Sequence, residues 1–145
     1  FMAHRLACDR AGVVDAIVAI AGALDAEIER CDPDGTVRVL TIHGDADPVV
    51  RYGGVASGDA PPPLGSGHPS AADTIGHWAS ELGCGASAEG PDLDLEVGDE
   101  DETTSLAFGG CPSGSAAELW TVRGADHSIA FSDDGRRIVL DWVNR

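Results

Sequence analysis

An α/β fold with three parallel strands, flanking helices and an acidic hairpin insertion is the architecture this sequence predicts, and three features point to it. The stretch Val37-Arg38-Val39-Leu40-Thr41-Ile42-His43 is mostly β-branched or aliphatic and stops at Gly44 and the carboxylates of Asp45 and Asp47. That is the pattern of a strand covered on both faces and followed by a loop. Two more short apolar runs, the second half of Val13 to Ala21 and the segment Glu118 to Arg123, have the same character. Stretches with helical spacing lie around them, and 145 residues suit one domain with a single core.

Taken in order, Met2 to Arg10 reads as a helix whose end is marked by Asp9-Arg10-Ala11-Gly12. Val13 to Ala21 is closed by Gly22; its second half reads as a buried strand, with helix as the competing reading because alanine is a good helix former. Cys31-Asp32-Pro33-Asp34-Gly35 has turn chemistry. After the strand Val37 to His43, Pro48 disfavours helix for the residue before it, so Asp47 belongs in extended or turn geometry at the strand's carboxyl end. In open parallel sheets that edge is where sites are built.

Residues 53–70 are too rich in glycine and proline for regular structure and form a long, candidate functional loop. Ser70 caps a helix from Ala71 to Leu82, with Ile75, Trp78 and Leu82 at helical spacing and Gly83 as its stop. Gly85 to Gly110 is acidic and lacks the regular ligand spacing of a calcium loop, so it reads as a solvated hairpin with Thr103 to Phe108 as an edge strand. Glu118 to Arg123 is the third parallel strand, and the loop after it carries His127. Gly135 to Val143, with Ile138, Leu140, Trp142 and Val143 apolar, closes the chain as a helix.

The charge balance excludes two partner classes. Acidic residues number 25 against 9 basic ones, all arginine, for a formal charge of −16. Such a surface repels nucleic acid and anionic membranes. Dense carboxylates without lysine fit a halophilic protein; a GC-rich genome would explain arginine over lysine but not the acid excess. No signal peptide or membrane span is present in the sequence.

Asp47 and His127 each follow a strand in a short loop, so a parallel sheet would bring both to one edge. A carboxylate placed there can hold an imidazole in one tautomer and stabilise the imidazolium. Asp45 is the rival acid, Asp126 and Ser128 flank the histidine as accessory candidates, and His43 reads as structural. A carboxylate close to His127, such as that of Asp126, would raise the imidazole pKa. A metal site built from His43, Asp45, Asp47 and His127 is a second reading, since imidazole and carboxylate ligands can hold zinc or manganese. A third is a non-catalytic fragment that binds a partner or assembles with itself.

The segment His43-Gly44-Asp45-Ala46-Asp47-Pro48-Val49-Val50, followed by Gly124-Ala125-Asp126-His127-Ser128, resembles the acid and histidine segments of α/β-hydrolases of the polyhydroxybutyrate depolymerase and feruloyl-esterase-like branch. The order, acid before histidine, is also theirs. Phe1-Met2-Ala3-His4-Arg5-Leu6-Ala7-Cys8 resembles the helix that directly follows the family's nucleophilic serine. The resemblance therefore implies the carboxyl-terminal half of a serine carboxylesterase or polyester depolymerase. Asp47 and His127 would be two members of its triad, with no cofactor, and the serine would lie upstream of Phe1.

No Gly-x-Ser-x-Gly occurs in the chain, and Ser57, Ser66, Ser113 and Ser115 lie in loops rather than between a strand and a helix. The implied substrate is a small or polymeric ester. Three parallel strands would leave an edge open, which implies a homo-oligomer or a complex with the amino-terminal half. The family is often exported, secreted or periplasmic, and carries disulfides. Here Cys8, Cys31, Cys84 and Cys111 contain no Cys-x-x-Cys pair. Their order suggests Cys8 with Cys31 and Cys84 with Cys111, each loop about 25 residues long and worth ~3 kcal/mol, against the alternative of four free thiols.

Overall fold

A computed structural model describes residues 1–25, 33, 36–59, 67–98 and 102–145. Its elements are α1 (Met2–Arg10), β1 (Ala16–Ile20), β2 (Arg38–Gly44), α2 (Ala71–Glu81), β3 (Ser87–Glu89), β4 (Thr103–Phe108), β5 (Ala116–Val122) and α3 (Asp133–Val143). The strands form one sheet in the order β1-β2-β5-β4-β3. β1, β2 and β5 are parallel; β4 runs antiparallel to β5 and β3 antiparallel to β4. The sheet is therefore mixed, an α/β arrangement in which a hairpin extends three parallel strands. The segment 16–20 is strand, not helix. Thr103–Phe108 is not the edge strand expected, because Ser87–Glu89 pairs outside it. The turn expected at 31–35 lies almost entirely outside the described residues, as does 60–66 of the glycine- and proline-rich loop.

Alternate strand residues serve two cores, as the two-residue period requires. On one face Ile17, Val39 and Leu119 pack with Ile75 and Trp78 of α2 and Ala7 of α1. On the other, Leu40, Ile42, Trp120 and Val122 pack with Trp142 of α3. α2 begins at Ser70, whose Oγ accepts from the Asp73 N–H at 3.0 Å, and stops at Gly83, which takes φ +69°. Buried His4 accepts through Nδ1 from the Trp78 indole at 3.0 Å, so α1 and α2 share a polar contact within their core. Burial lowers the His4 pKa to about 3, which keeps this imidazole neutral. Among the described residues, no helix is long and apolar enough to cross a membrane.

A disulfide joins Cys84 to Cys111 and ties the end of α2 to the segment that leaves the hairpin. Cys8 is also disulfide-bonded, while Cys31, its expected partner, lies outside the described residues. The acidic hairpin is not simply a solvated one. The carboxylate of Glu102 is buried, and its Oε1 accepts from Leu95 N at 2.8 Å, Glu96 N at 3.0 Å and Thr103 Oγ1 at 2.7 Å. Glu96 in turn accepts from Ala130 N at 3.0 Å, and Ser132 N donates to Leu95 O at 2.8 Å. The hairpin strap is thereby docked on the start of α3.

Burial alone would raise the Glu102 pKa, but the hydrogen bonds from Thr103, Leu95 and Glu96 outweigh it and hold the carboxyl below its ordinary value. A depressed carboxylate pKa contributes stability above the unfolded value, and that contribution is lost as pH falls through the folded one. Glu102→Ala, which strands the buried N–H of Leu95 and the half-buried N–H of Glu96, should cost about 2–3 kcal/mol at neutral pH. It should also flatten the loss of melting temperature below about pH 5. Calorimetric melts of both proteins from pH 7 to 3 check this; parallel curves would refute it.

Candidate active site

Because β2 and β5 are adjacent and parallel, the loops leaving their carboxyl ends emerge side by side. Backbone bonds join these loops: Asp45 N donates to Val122 O and Ala46 N to Ala125 O, each at 3.1 Å. Gly44 permits the approach. A Cβ there would fall on the Ala125 carbonyl and 2.7 Å from the Asp126 carbonyl oxygen.

Asp47 is 4 % exposed. Its Oδ1 accepts from Val49 N at 2.7 Å and Val50 N at 3.0 Å, a local turn that follows from the Asp-Pro step. Oδ2 is left for the imidazoles: His127 Nδ1 lies 2.9 Å away and His43 Nε2 3.3 Å away. A carboxylate only accepts, so His127 carries its proton on Nδ1 and presents the lone pair on Nε2. The ring is 40 % exposed, which leaves that nitrogen open to a reactant.

Burial would raise the pKa of Asp47, but the hydrogen bonds from His127, Val49 and Val50 and the charge of His127 together lower it below the ordinary value. Asp47 therefore stays ionised as the partner of an imidazolium.

His43 stands on the inner side of this pair. Its fully buried ring donates through Nε2 to Val50 O at 2.7 Å and meets the Tyr52 ring edge-on at 5.7 Å. Tyr52 in turn hydrogen-bonds Thr121 of β5 at 2.8 Å. His43 thus positions Asp47 and its turn. The remaining candidates fall elsewhere. Asp45 Oδ1 accepts from Gly124 N at 2.7 Å, a brace between the two loops. Asp126 is exposed and uses its carboxylate on the Ser128 N–H at 2.7 Å, so it closes the turn around His127.

Sequence reasoning missed the Val49 and Val50 N–H donors, which the Asp-Pro-Val-Val string could have signalled. It also missed the sharing of Oδ2 by two histidines, for which no local signal exists.

Ser113 and Ser115 precede β5 and so lie at the opposite sheet edge, roughly 20 Å from the histidine loop at ~3.3 Å per strand residue. Ser66 lies outside the described residues. Ser57 lines a separate cavity of about 440 Å³ with His68, Asp73 and His77. Phe1, by contrast, starts α1 against Gly22, just past the carboxyl end of β1, at the edge that also holds Asp47 and His127. Among the described residues, no three His, Cys, Asp or Glu side chains gather as a metal-ligand set, and Asp45 is turned to Gly124 instead. Comparison with family models, with curated proteins and with solved structures returned no match.

Proposed function

We propose that this chain carries the acid and base of a serine carboxylesterase of the polyester-depolymerase type, with the nucleophilic serine supplied from outside residues 1–145. The observation that carries the reading is the 2.9 Å contact between buried Asp47 and His127, on loops at the carboxyl ends of adjacent parallel strands. In that reaction His127 Nε2 takes the proton of the serine hydroxyl as its oxygen attacks the ester carbonyl. Asp47 stabilises the imidazolium, which then protonates the departing alkoxide. Water, deprotonated by the same nitrogen, hydrolyses the acyl-enzyme and restores the serine.

The amino-terminal turn of α1 at the same edge supports the placement of the serine just before Phe1, where the helix dipole would favour developing negative charge. The Cys84–Cys111 bridge supports an oxidising compartment, secreted or periplasmic.

Even without the serine, His127 can activate water against an activated ester. Hydrolysis of p-nitrophenyl butyrate by the 145-residue protein should therefore run slowly but above buffer. His127→Ala should return it to the buffer rate; because the variant also takes a hydrogen-bond donor from the buried Asp47 carboxylate, its melting temperature should fall by an amount worth about 1–2 kcal/mol, and the rates are compared at a temperature where both proteins are folded. Equal rates for the two proteins would defeat the reading.

A further inference from the structure

The glycine- and proline-rich loop after the Asp47 turn takes no part in the contact between Asp47 and His127, yet its described ends are built as a wall. Val55 and His68 exchange backbone hydrogen bonds, each 2.9 Å long. Gly67, at φ +76°, admits the approach, since a Cβ there would fall on the Val55 carbonyl. The segment leaving β1 is fixed to α2 by the bond from Leu24 N to Thr74 Oγ1 at 3.4 Å. Together these pieces enclose the cavity of about 440 Å³ that Ser57 lines, and small-molecule sites span ~300–1,000 Å³. Leu24 follows β1 and Val55 follows β2, so the cavity belongs to the carboxyl edge of the parallel strands, as Asp47 and His127 do.

The polar atoms of this cavity are unusual. His68 lines it and is 2 % exposed. Its Nδ1 donates to Pro69 O at 3.0 Å, so the neutral ring carries its lone pair on Nε2, and that atom is buried without a hydrogen-bond partner. The Nε2 of His77, one turn after Asp73 on the same face of α2, is buried and unpartnered as well. Buried polar atoms left unpaired are rare in folded proteins, and two that border one cavity point to a group that arrives with a ligand.

Charge and hydrogen-bonding capacity identify that ligand. Two exposed carboxylates border the cavity, Asp25 and Asp73, and no arginine does among the described residues that line it. With the formal charge of −16 they exclude anions. A metal ion needs ligands that converge on one point, and among the described residues no three such side chains do. The occupant is therefore a molecule that reaches these groups separately. An ammonium brings three donors and no lone pair, whereas a hydroxyl would turn lone pairs towards acceptors. Leu24, Val55, Ala56 and Pro69 supply an apolar wall for the carbon chain that bears it.

We propose that this cavity binds an aliphatic primary ammonium ion, with His68 Nε2 and His77 as acceptors and Asp25 and Asp73 as the balancing charge. This inference rests on residues 24–77 and does not depend on the catalytic reading.

Titration of the 145-residue protein with butylammonium tests it, in physiological salt and followed by long-range ¹⁵N–¹H spectra of the histidine rings. The pH is held at about 8, where a primary ammonium keeps its proton. The Nε2 signals of His68 and His77 should shift saturably, with a Kd on the order of 1 mM for so small a ligand. Two controls separate the site from the ion atmosphere of a strongly acidic protein. Tetramethylammonium has the charge without an N–H, and 1-butanol has the chain without the charge; each should bind roughly tenfold more weakly or worse. Asp73→Asn, which removes the charge of an exposed side chain and keeps an acceptor for Ser70 Oγ, should weaken butylammonium about threefold or more. His77→Phe, which removes an acceptor, should act in the same direction. Shifts that never saturate, shifts that either control reproduces, or an affinity that neither variant lowers would overturn the proposal.

Discussion

Asp47→Asn is expected to remove the ester hydrolysis that depends on His127 while leaving the protein folded. The asparagine oxygen can still accept from Val49 and Val50 N–H, as Asp47 Oδ1 does at 2.7 and 3.0 Å, so the turn survives. The amide nitrogen then takes the place of Oδ2 and donates to His127 Nδ1. The imidazole must carry its proton on Nε2 and loses the lone pair that would receive one. The rate above buffer should fall by roughly 10²–10⁴-fold, the usual contribution of a general base.

The same amide nitrogen would face His43 Nε2, 3.3 Å from the present Oδ2 and already donating to Val50 O, so two donors oppose each other. That conflict should cost about 1–2 kcal/mol. Because the Asp47 pKa is lowered in the fold, its carboxylate stabilises the protein above the unfolded value, and the contribution disappears as pH falls through the folded one. The asparagine variant should lack that part of the acid sensitivity. Long-range ¹⁵N–¹H spectra of the His127 ring settle the central point: the lone-pair nitrogen should move from Nε2 to Nδ1. An unchanged tautomer would show that Asp47 does not orient the ring.

Gly44→Ala should produce the largest loss of stability. The added methyl would lie on the Ala125 carbonyl and 2.7 Å from those of both Ala125 (at carbon) and Asp126 (at oxygen), all of them backbone, so no flexible side chain can yield. The β2 and β5 loops would have to separate, at a cost of about 3 kcal/mol or more. Separation also lengthens the contact between Asp47 and His127, so activity should be lost even at temperatures where the sheet remains folded. Gly12→Ala is the control, with nothing within 4 Å of its Cβ and no positive φ, and it should melt like the parent. Equal melting of the Gly44 and Gly12 variants would mean that the loops do not touch as described.

The elements that could be read from sequence are those whose signal is local. α2 has a capping serine, apolar residues at helical spacing and a stop glycine, and it spans Ala71–Glu81. β2 is a buried apolar run and spans Arg38–Gly44. α3 begins two residues before the expected Gly135, because Ser132 caps it with Asp133 and Asp134 in its first turn, a signal present in the sequence but outweighed by glycine. β3 was missed for a different reason. Ser87–Glu89 is exposed and has no apolar side chain larger than alanine, so only its ladder with β4 makes it a strand. Glu102 could not be singled out from its acidic neighbours, since only the approach of Leu95 and Glu96 buries it.

The sequence by itself determined that an acid and a histidine would each stand in a loop after a buried strand, because apolar runs, glycine and proline act over a few residues. Tertiary structure alone decided that these loops meet. Asp47 and His127 are 80 residues apart, and they touch because β5 lies beside β2 rather than at the far side of the sheet. No local pattern encodes that choice, which depends on how both sheet faces are covered at once: α1 and α2 on one, α3 on the other. The second role of Oδ2, shared between His127 and His43, likewise arises only where the end of β2 folds back on itself through Val50.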